Sequence, residues 1–233
     1  MIASSYRHIG RKKHPVNAAH WQRCYVNGDA YWDHGEPSPG LVDFLKKNRR
    51  APGKTLVPGC GFGHDCRELA RHGFQVTGLD ISARAVAEAK RLVGRDARSV
   101  SRRGPSMDSG GGKPGGLPAL QRRNLRFLHG DFLNLSARYR GRYDWLFEHT
   151  CFCAIDPALR DRYVVAAAAA LKRGGYLLGV FYNIQPKSGP PFGTTREELL
   201  ERFRPHFRLL SSTVPRSYPN RAGKELLMLW RKK

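Results

Sequence analysis

A glycine-rich turn between an apolar run and an amphipathic one constrains this chain more than any other feature. Residues 55–58 read as a short buried strand, Gly59-Cys60-Gly61-Phe62-Gly63 follows at once, and 65–72 carries Cys66, Leu69 and Ala70 at i, i+3 and i+4 before Gly73. That spacing is one face of a helix closed by a C-cap glycine. Glycines at a strand-to-helix turn let the backbone take positive φ and pass close beneath a ligand. A second unit repeats the order, with strand 75–79, Ser82 as N-cap, and helix 83–93 bearing Val86, Ala89 and Val93 on one side. Alternation of this kind predicts a parallel sheet covered on both faces.

The pattern continues after residue 124. Strands are predicted at 125–129 and 144–148. A helix capped by Asp156 with Pro157 at its first position follows, striped by Leu159, Tyr163, Ala167 and Leu171 and stopped by Gly174-Gly175. Strand 176–181 comes next, and Thr194-Thr195 with Glu197-Glu198 form a capping box for a helix to Phe203. The chain closes with strands 207–214 and 225–231, joined by a loop containing Pro and Gly and read as a hairpin. The expected architecture is therefore one α/β domain over 21–233, with a seven-stranded, mostly parallel sheet, an antiparallel last strand, and helices on both faces. Residues 1–20 read as a basic flexible tail, 21–50 as an aromatic segment folded back on the domain, and 94–124, rich in Gly, Arg and Ser, as a disordered insertion.

Composition narrows the function classes. With 40% hydrophobic and 26% charged residues the chain has globular usage. Five scattered cysteines, Cys24, Cys60, Cys66, Cys151 and Cys153, form neither a disulfide framework nor a zinc motif, so no metal is expected. No apolar run approaches the roughly 18 residues of a membrane span, and the basic residues before Trp21 lack the apolar stretch of a secretory signal. A cytoplasmic monomer acting on a small molecule is the expectation, with no membrane partner. The net charge of +22 invites a nucleic-acid reading. It is spread over every segment, however, and reads as a generally basic surface more than as a dedicated stripe.

The glycine loop departs from the dinucleotide pattern G-x-G-x-x-G, because its third glycine comes one residue early and His64-Asp65 open the helix. An acid there disfavours a pyrophosphate, which prefers exposed N–H groups and cations. Asp80 ends the second strand, placed to accept ribose hydroxyls. Asp131 with Phe132 follows the third strand, suited to an adenine amino group and its ring, although Asp131 also reads as a helix cap. Ligands of open α/β sheets bind across these carboxyl ends.

With these residues in view, the chain resembles the class I S-adenosylmethionine-dependent methyltransferases, and more narrowly the thiopurine, halide and thiol methyltransferase family. The likeness rests on Trp21 with Tyr31-Trp32-Asp33-His34-Gly35, on Leu56 to Asp65, on Gly78 to Ser82, on Gly130-Asp131-Phe132, on Phe147-Glu148-His149-Thr150-Cys151-Phe152-Cys153-Ala154, and on Gly189-Pro190-Pro191-Phe192. It implies a Rossmann-like domain and S-adenosyl-L-methionine as cofactor. Gly59 and Gly61 would line its methionine part, Asp80 its ribose, Asp131 and Phe132 its adenine, with Glu148 and His149 at the fourth strand's end. Trp21 and Trp32 would close over the sulfonium and substrate, where a cation beside an aromatic face gains roughly 0.5–2 kcal/mol, and Tyr25, Glu148 and His149 would join the cofactor site.

The acceptor pocket is expected from Trp32, His149, Tyr182 and Phe192, with His149 as a candidate base. Relatives often carry Asp-Tyr where this chain has Glu148-His149. The resemblance implies a soft acceptor such as a thiol, hydrosulfide, halide or thiopurine, which has little or no proton to lose. With methyl transfer needing in-line alignment and desolvation more than a nucleophilic side chain, the lack of an obvious catalytic dyad fits that class. A nucleic-acid methyltransferase and a catalytically silent cofactor-binding protein are the alternatives. Against the first, the place of an Asn-Pro-Pro-aromatic motif is taken here by His149-Thr150-Cys151-Phe152. A nicotinamide-dependent oxidoreductase ranks below both.

Overall fold

The computed structural model describes residues 16–101, 123–185 and 188–233. Chain order is α1 Ala18–Asn27, α2 Pro39–Lys47, β1 Lys54–Pro58, α3 His64–Arg71, β2 Gln75–Asp80, α4 Ala83–Ser101, β3 Leu125–His129, β4 Tyr143–His149, α5 Arg160–Ala170, β5 Leu171–Tyr182, α6 Arg196–Phe203, β6 Phe207–Thr213 and β7 Glu225–Lys232. The strands form one seven-stranded sheet in the order β3-β2-β1-β4-β5-β7-β6. All pairings are parallel except those of β7, which runs antiparallel to both β5 and β6. The predicted sheet is the observed one, including the closing hairpin.

Side-chain alternation along the strands divides the interior between two faces. Leu56, Leu79, Leu146, Leu177 and Trp230 point to one side, where Tyr163 and Ala167 of α5 and Phe203 of α6 cover them. Val57, Val76, Phe147, Leu178 and Leu229 point to the other, against Leu41 of α2, Cys66 and Leu69 of α3, and Val86 of α4. Local signals hold where predicted. Ser82 Oγ accepts from Ala85 N–H at 3.2 Å, and Thr195 Oγ1 from Glu198 N–H at 3.2 Å. Asp156 Oδ1 accepts from Ala158 N–H at 2.9 Å, capping a short 3-10 turn that runs into α5.

Three expectations need correction. The tail ends before residue 20, because Asn17 Oδ1 accepts the His20 N–H at 3.0 Å and starts α1 at Ala18; residues 1–15 lie outside the described part. Helix α4 continues to Ser101, through the start of the expected insertion, whose residues 102–122 also lie outside it. Finally, α5 stops at Ala170. Leu171, fully buried, leaves the helical stripe to pair with Tyr143 of β4, so the strand begins well before Gly174-Gly175. Sheet pairing and burial outweigh the helical propensity of the alanine run.

Candidate active site

The carboxyl ends of β1, β2 and β4 meet beneath the N-terminal segment. Gly59, Gly61 and Gly63 have φ of 59°, 51° and 75°, so the loop after β1 lies in the left-handed region that glycine tolerates. Space demands glycine as well, since a Cβ on Gly61 would stand 2.9 Å from the Tyr25 hydroxyl and one on Gly59 2.8 Å from Cys151 Cβ. Asp80 is buried; its Oδ2 accepts from Gly61 N–H and its Oδ1 from Ser82 N–H, both at 2.8 Å. Burial raises this carboxyl above the ordinary range, against the pull of those two donors.

Helix α1 brings an aromatic cluster over the loop. Trp32 meets Trp21 edge-on at 5.2 Å and Tyr25 at 5.5 Å, and donates its indole N–H to the Tyr25 hydroxyl at 3.2 Å. Tyr25 in turn packs on Phe62 of the loop at 5.2 Å. Two polar ties hold the segment down. Gln22 Oε1 accepts from Ser82 Oγ at 2.8 Å, and Asp33 Oδ1 lies 3.3 Å from His64 Nε2.

Of the strand-end acids, Asp131 caps the turn Phe132–Asn134, accepting from Leu133 N–H at 2.8 Å and Asn134 Nδ2 at 2.6 Å. Phe132 is buried, its ring 4.9 Å from Tyr163. Glu148 is 1% exposed and faces the interior, where its carboxylate accepts from Phe152 N–H at 2.7 Å and from the Tyr163 hydroxyl. Burial pushes its carboxyl up to about 7. Glu148 and Phe132 therefore brace the strand ends from below.

His149 alternates to the opposite face of β4 and joins groups that sequence reasoning left unassigned. Its Nδ1 lies 2.8 Å from Asp65 Oδ2 and its Nε2 3.4 Å from Arg221 Nη1. Arg221 is 5% exposed. It stands over the rings of Tyr182 at 5.3 Å and Tyr218 at 5.6 Å, donates to Trp32 O at 3.3 Å, and faces Glu225 at 3.5 Å. His34 stacks on Tyr218 at 3.8 Å. Two buried polar atoms near this cation, His34 Nε2 and Glu225 Oε2, have no hydrogen-bond partner among the described residues. Trp32, through its carbonyl, His149 and Tyr182 thus all meet Arg221. Phe192 sits on the neighbouring loop, its N–H donating to Cys153 O at 2.7 Å. Asp65 and His34 were visible in the motifs, but Arg221 and Tyr218 carry no local signal, being brought in from a loop near the chain's end.

The thiols nearby are kept neutral. The Cys66 partner and burial raise Cys60, burial raises Cys151 well above its usual value, and burial takes Cys153 to about 12. None is a nucleophile at neutral pH. A separate cleft of about 690 Å³ opens around the start of β6 and the end of β7, lined by Arg173, Arg204, Arg208, Arg231, Lys232 and Lys233 among others. It contains none of the strand-end groups.

Comparison with known proteins agrees with this geometry. The family model for thiopurine S-methyltransferase (TPMT) matches residues 16–225. Thiocyanate methyltransferase 1 of Brassica oleracea is 29% identical over 222 residues, covering 93% of this chain and 86% of the relative. A thiopurine S-methyltransferase of Pseudomonas aeruginosa is 27% identical over 187 residues, covering 79% and 80%. Among solved structures, Burkholderia thailandensis 1,6-didemethyltoxoflavin-N1-methyltransferase, bound to its substrate and S-adenosylhomocysteine, superposes with a TM-score of 0.66 at 20% identity, covering 94% of this chain and 88% of that one. That likeness shows the shared fold. With the family model spanning nearly all described residues, the chain belongs to the thiopurine S-methyltransferase family and is an S-adenosylmethionine-dependent methyltransferase.

Proposed function

We propose that the methyl acceptor is a small soft nucleophile, in the first place a sulfur anion such as a thiolate, hydrosulfide or thiocyanate, with halides and thiopurine-like thiols in the same class. One observation carries the reading: Arg221 is a buried cation beside His149, beneath the Trp32 carbonyl and between two tyrosine rings. A cation in a low-dielectric site favours the anionic form of an acceptor. A free thiol has a pKa of about 8.5, so a modest shift suffices to present thiolate at neutral pH. The relatives named for thiocyanate and thiopurine methylation support the sulfur class.

The site fits the cofactor. Its glycine loop leaves no room for a Cβ, a buried carboxylate ends β2, and aromatic rings lie where a cationic sulfur gains from them. Asp65 in the first turn of α3 disfavours a phosphate there. Bound S-adenosylmethionine supplies a methyl group already activated on a sulfonium. Around it, Gly59 and Gly61 admit the methionine part, Asp80 holds the ribose, and Asp131 the adenine amino group. Phe132 and Glu148 support that pocket from beneath, and Trp21, Tyr25 and Trp32 exclude water. Arg221 and Tyr182 receive the acceptor, with His149 against Arg221 and Phe192 at the flank. No helix among the described residues is long and apolar enough to cross a membrane. The free cysteines fit a reducing compartment, and a cytoplasmic monomer is the proposed setting.

The test is a panel of hydrosulfide, small thiols, thiocyanate, iodide and thiopurines with labelled S-adenosylmethionine. Methylation of the sulfur compounds is expected. Absence of product from every member of the panel, with S-adenosylhomocysteine still bound, overturns the acceptor class.

A further inference from the structure

We infer that His149 is a positioning residue for Arg221 and not the base of the reaction. The inference rests on the reading that Arg221 faces the acceptor. Asp65 presents a carboxylate, which only accepts hydrogen bonds when ionised, while a guanidinium only donates. His149 stands between them at 2.8 Å and 3.4 Å. One state of the ring satisfies both contacts, the neutral imidazole with its proton on Nδ1. In that state the Nε2 lone pair, the one a base would use, receives the Arg221 N–H.

The surroundings fix this arrangement from both sides. Asp65 is itself anchored, its Oδ1 accepting the Ser38 N–H at 2.7 Å. Tyr218 lies alongside the imidazole at 6.3 Å. At the other end, Arg221 Nη1 has a competing partner in buried Glu225, 3.5 Å away. Without an acceptor at position 149 the guanidinium closes onto Glu225, and its charge is spent there. Nη1 is shared between His149 at 3.4 Å and Glu225 at 3.5 Å, and this sharing keeps the guanidinium from turning wholly onto the carboxylate and leaves it oriented for an incoming anion.

Two acceptors separate the roles, because a thiol carries a proton and iodide does not. Loss of a base harms thiol methylation and spares iodide; loss of a positioning contact raises KM for both. His149→Ala is expected to raise KM for thiol and iodide alike by about tenfold, the worth of one charge-assisted hydrogen bond. His149→Gln restores most of that loss for both acceptors, since its amide N–H₂ can donate to Asp65 while its oxygen accepts from Arg221. If Ala and Gln both lose thiol methylation while iodide is unaffected, His149 is the base and the inference fails.

A second readout is independent of turnover. Nitrogen-15 NMR of histidine-labelled protein without cofactor is expected to show His149 protonated at Nδ1 and bare at Nε2 at neutral pH, with Asp65→Ala mixing the tautomers. The opposite tautomer, or an imidazolium, overturns the inference. Wild-type protein that methylates neither acceptor overturns the acceptor class instead, while the tautomer measurement still decides the arrangement at His149.

Discussion

The Gly61 N–H donates to Asp80 Oδ2 at 2.8 Å, so the glycine loop after β1 and the carboxyl end of β2 form one hydrogen-bonded unit. The loop that must shape itself to the cofactor is set by the same carboxylate proposed to hold the ribose. Asp80→Ala is expected to weaken S-adenosylhomocysteine binding roughly a hundredfold, by removing charge-assisted hydrogen bonds and releasing the loop. Titration calorimetry measures it. Unchanged affinity would leave Asp80 as a brace of the loop alone.

Glu148 makes stability depend on pH. Its carboxyl is pushed up to about 7 in the folded protein by burial, from an ordinary value near 4.5. Between those values the native state binds more protons than the unfolded one, so stability falls as pH rises through this window and levels off above it. The change is on the order of 3 kcal/mol. Glu148→Gln, which keeps an acceptor for Phe152 N–H and never ionises, should flatten this portion of the profile. Urea unfolding at pH 5 and pH 8 compares the two proteins, and a wild-type curve that rises over the same window contradicts the assignment.

Trp32 sits where the aromatic cluster meets the Arg221 network, bonded to Tyr25 through its indole and to Arg221 through its carbonyl. Only the first contact belongs to the side chain. Trp32→Ala should therefore keep the Arg221 contact while opening the cover above the glycine loop. Turnover is expected to fall at least about tenfold and stability by only about 1 kcal/mol, since the residue is half-buried. A large loss of melting temperature with unchanged turnover per folded molecule would assign Trp32 to packing.

Gly63 and Gly28 separate backbone strain from steric conflict. Both have positive φ, 75° and 79°, but a Cβ on Gly63 would lie 2.6 Å from the Phe127 ring, whereas one on Gly28 meets open space. Gly28→Ala should cost about 1 kcal/mol, the left-handed penalty alone. Gly63→Ala should cost about 3 kcal/mol, because the core must also shift. Chemical denaturation of the pair tests this, and equal costs would mean that Phe127 yields freely.

The features legible in the sequence are those that neighbouring residues decide. A strand, a glycine turn and an i, i+3, i+4 stripe lie within 20 residues of one another, and the caps at Ser82 and Thr195 each act on a residue three positions on; the cap at Asn17 goes unread behind the basic run before it. Helix α5 shows the limit, because the step from Ala170 to Leu171 turns on β4, which no local preference encodes. The strand-end acids show a subtler one. Position along the chain put Asp80, Asp131 and Glu148 at strand ends alike, but alternation across the sheet buries Glu148 and turns His149 the other way.

By itself the sequence determined the order of strands and helices from β1 onward, the glycine loop, and the family, since these follow from periodicity, turn chemistry and short motifs, whereas the helices α1 and α2 go unread. Tertiary structure decided which polar groups face one another: Asp65 with His149 across 84 positions, His149 with Arg221 across 72, and Arg221 with the Trp32 carbonyl across 189. Hydrogen-bond energy depends on distances of a few ångströms, and separations of that length along the chain are set only when the sheet assembles.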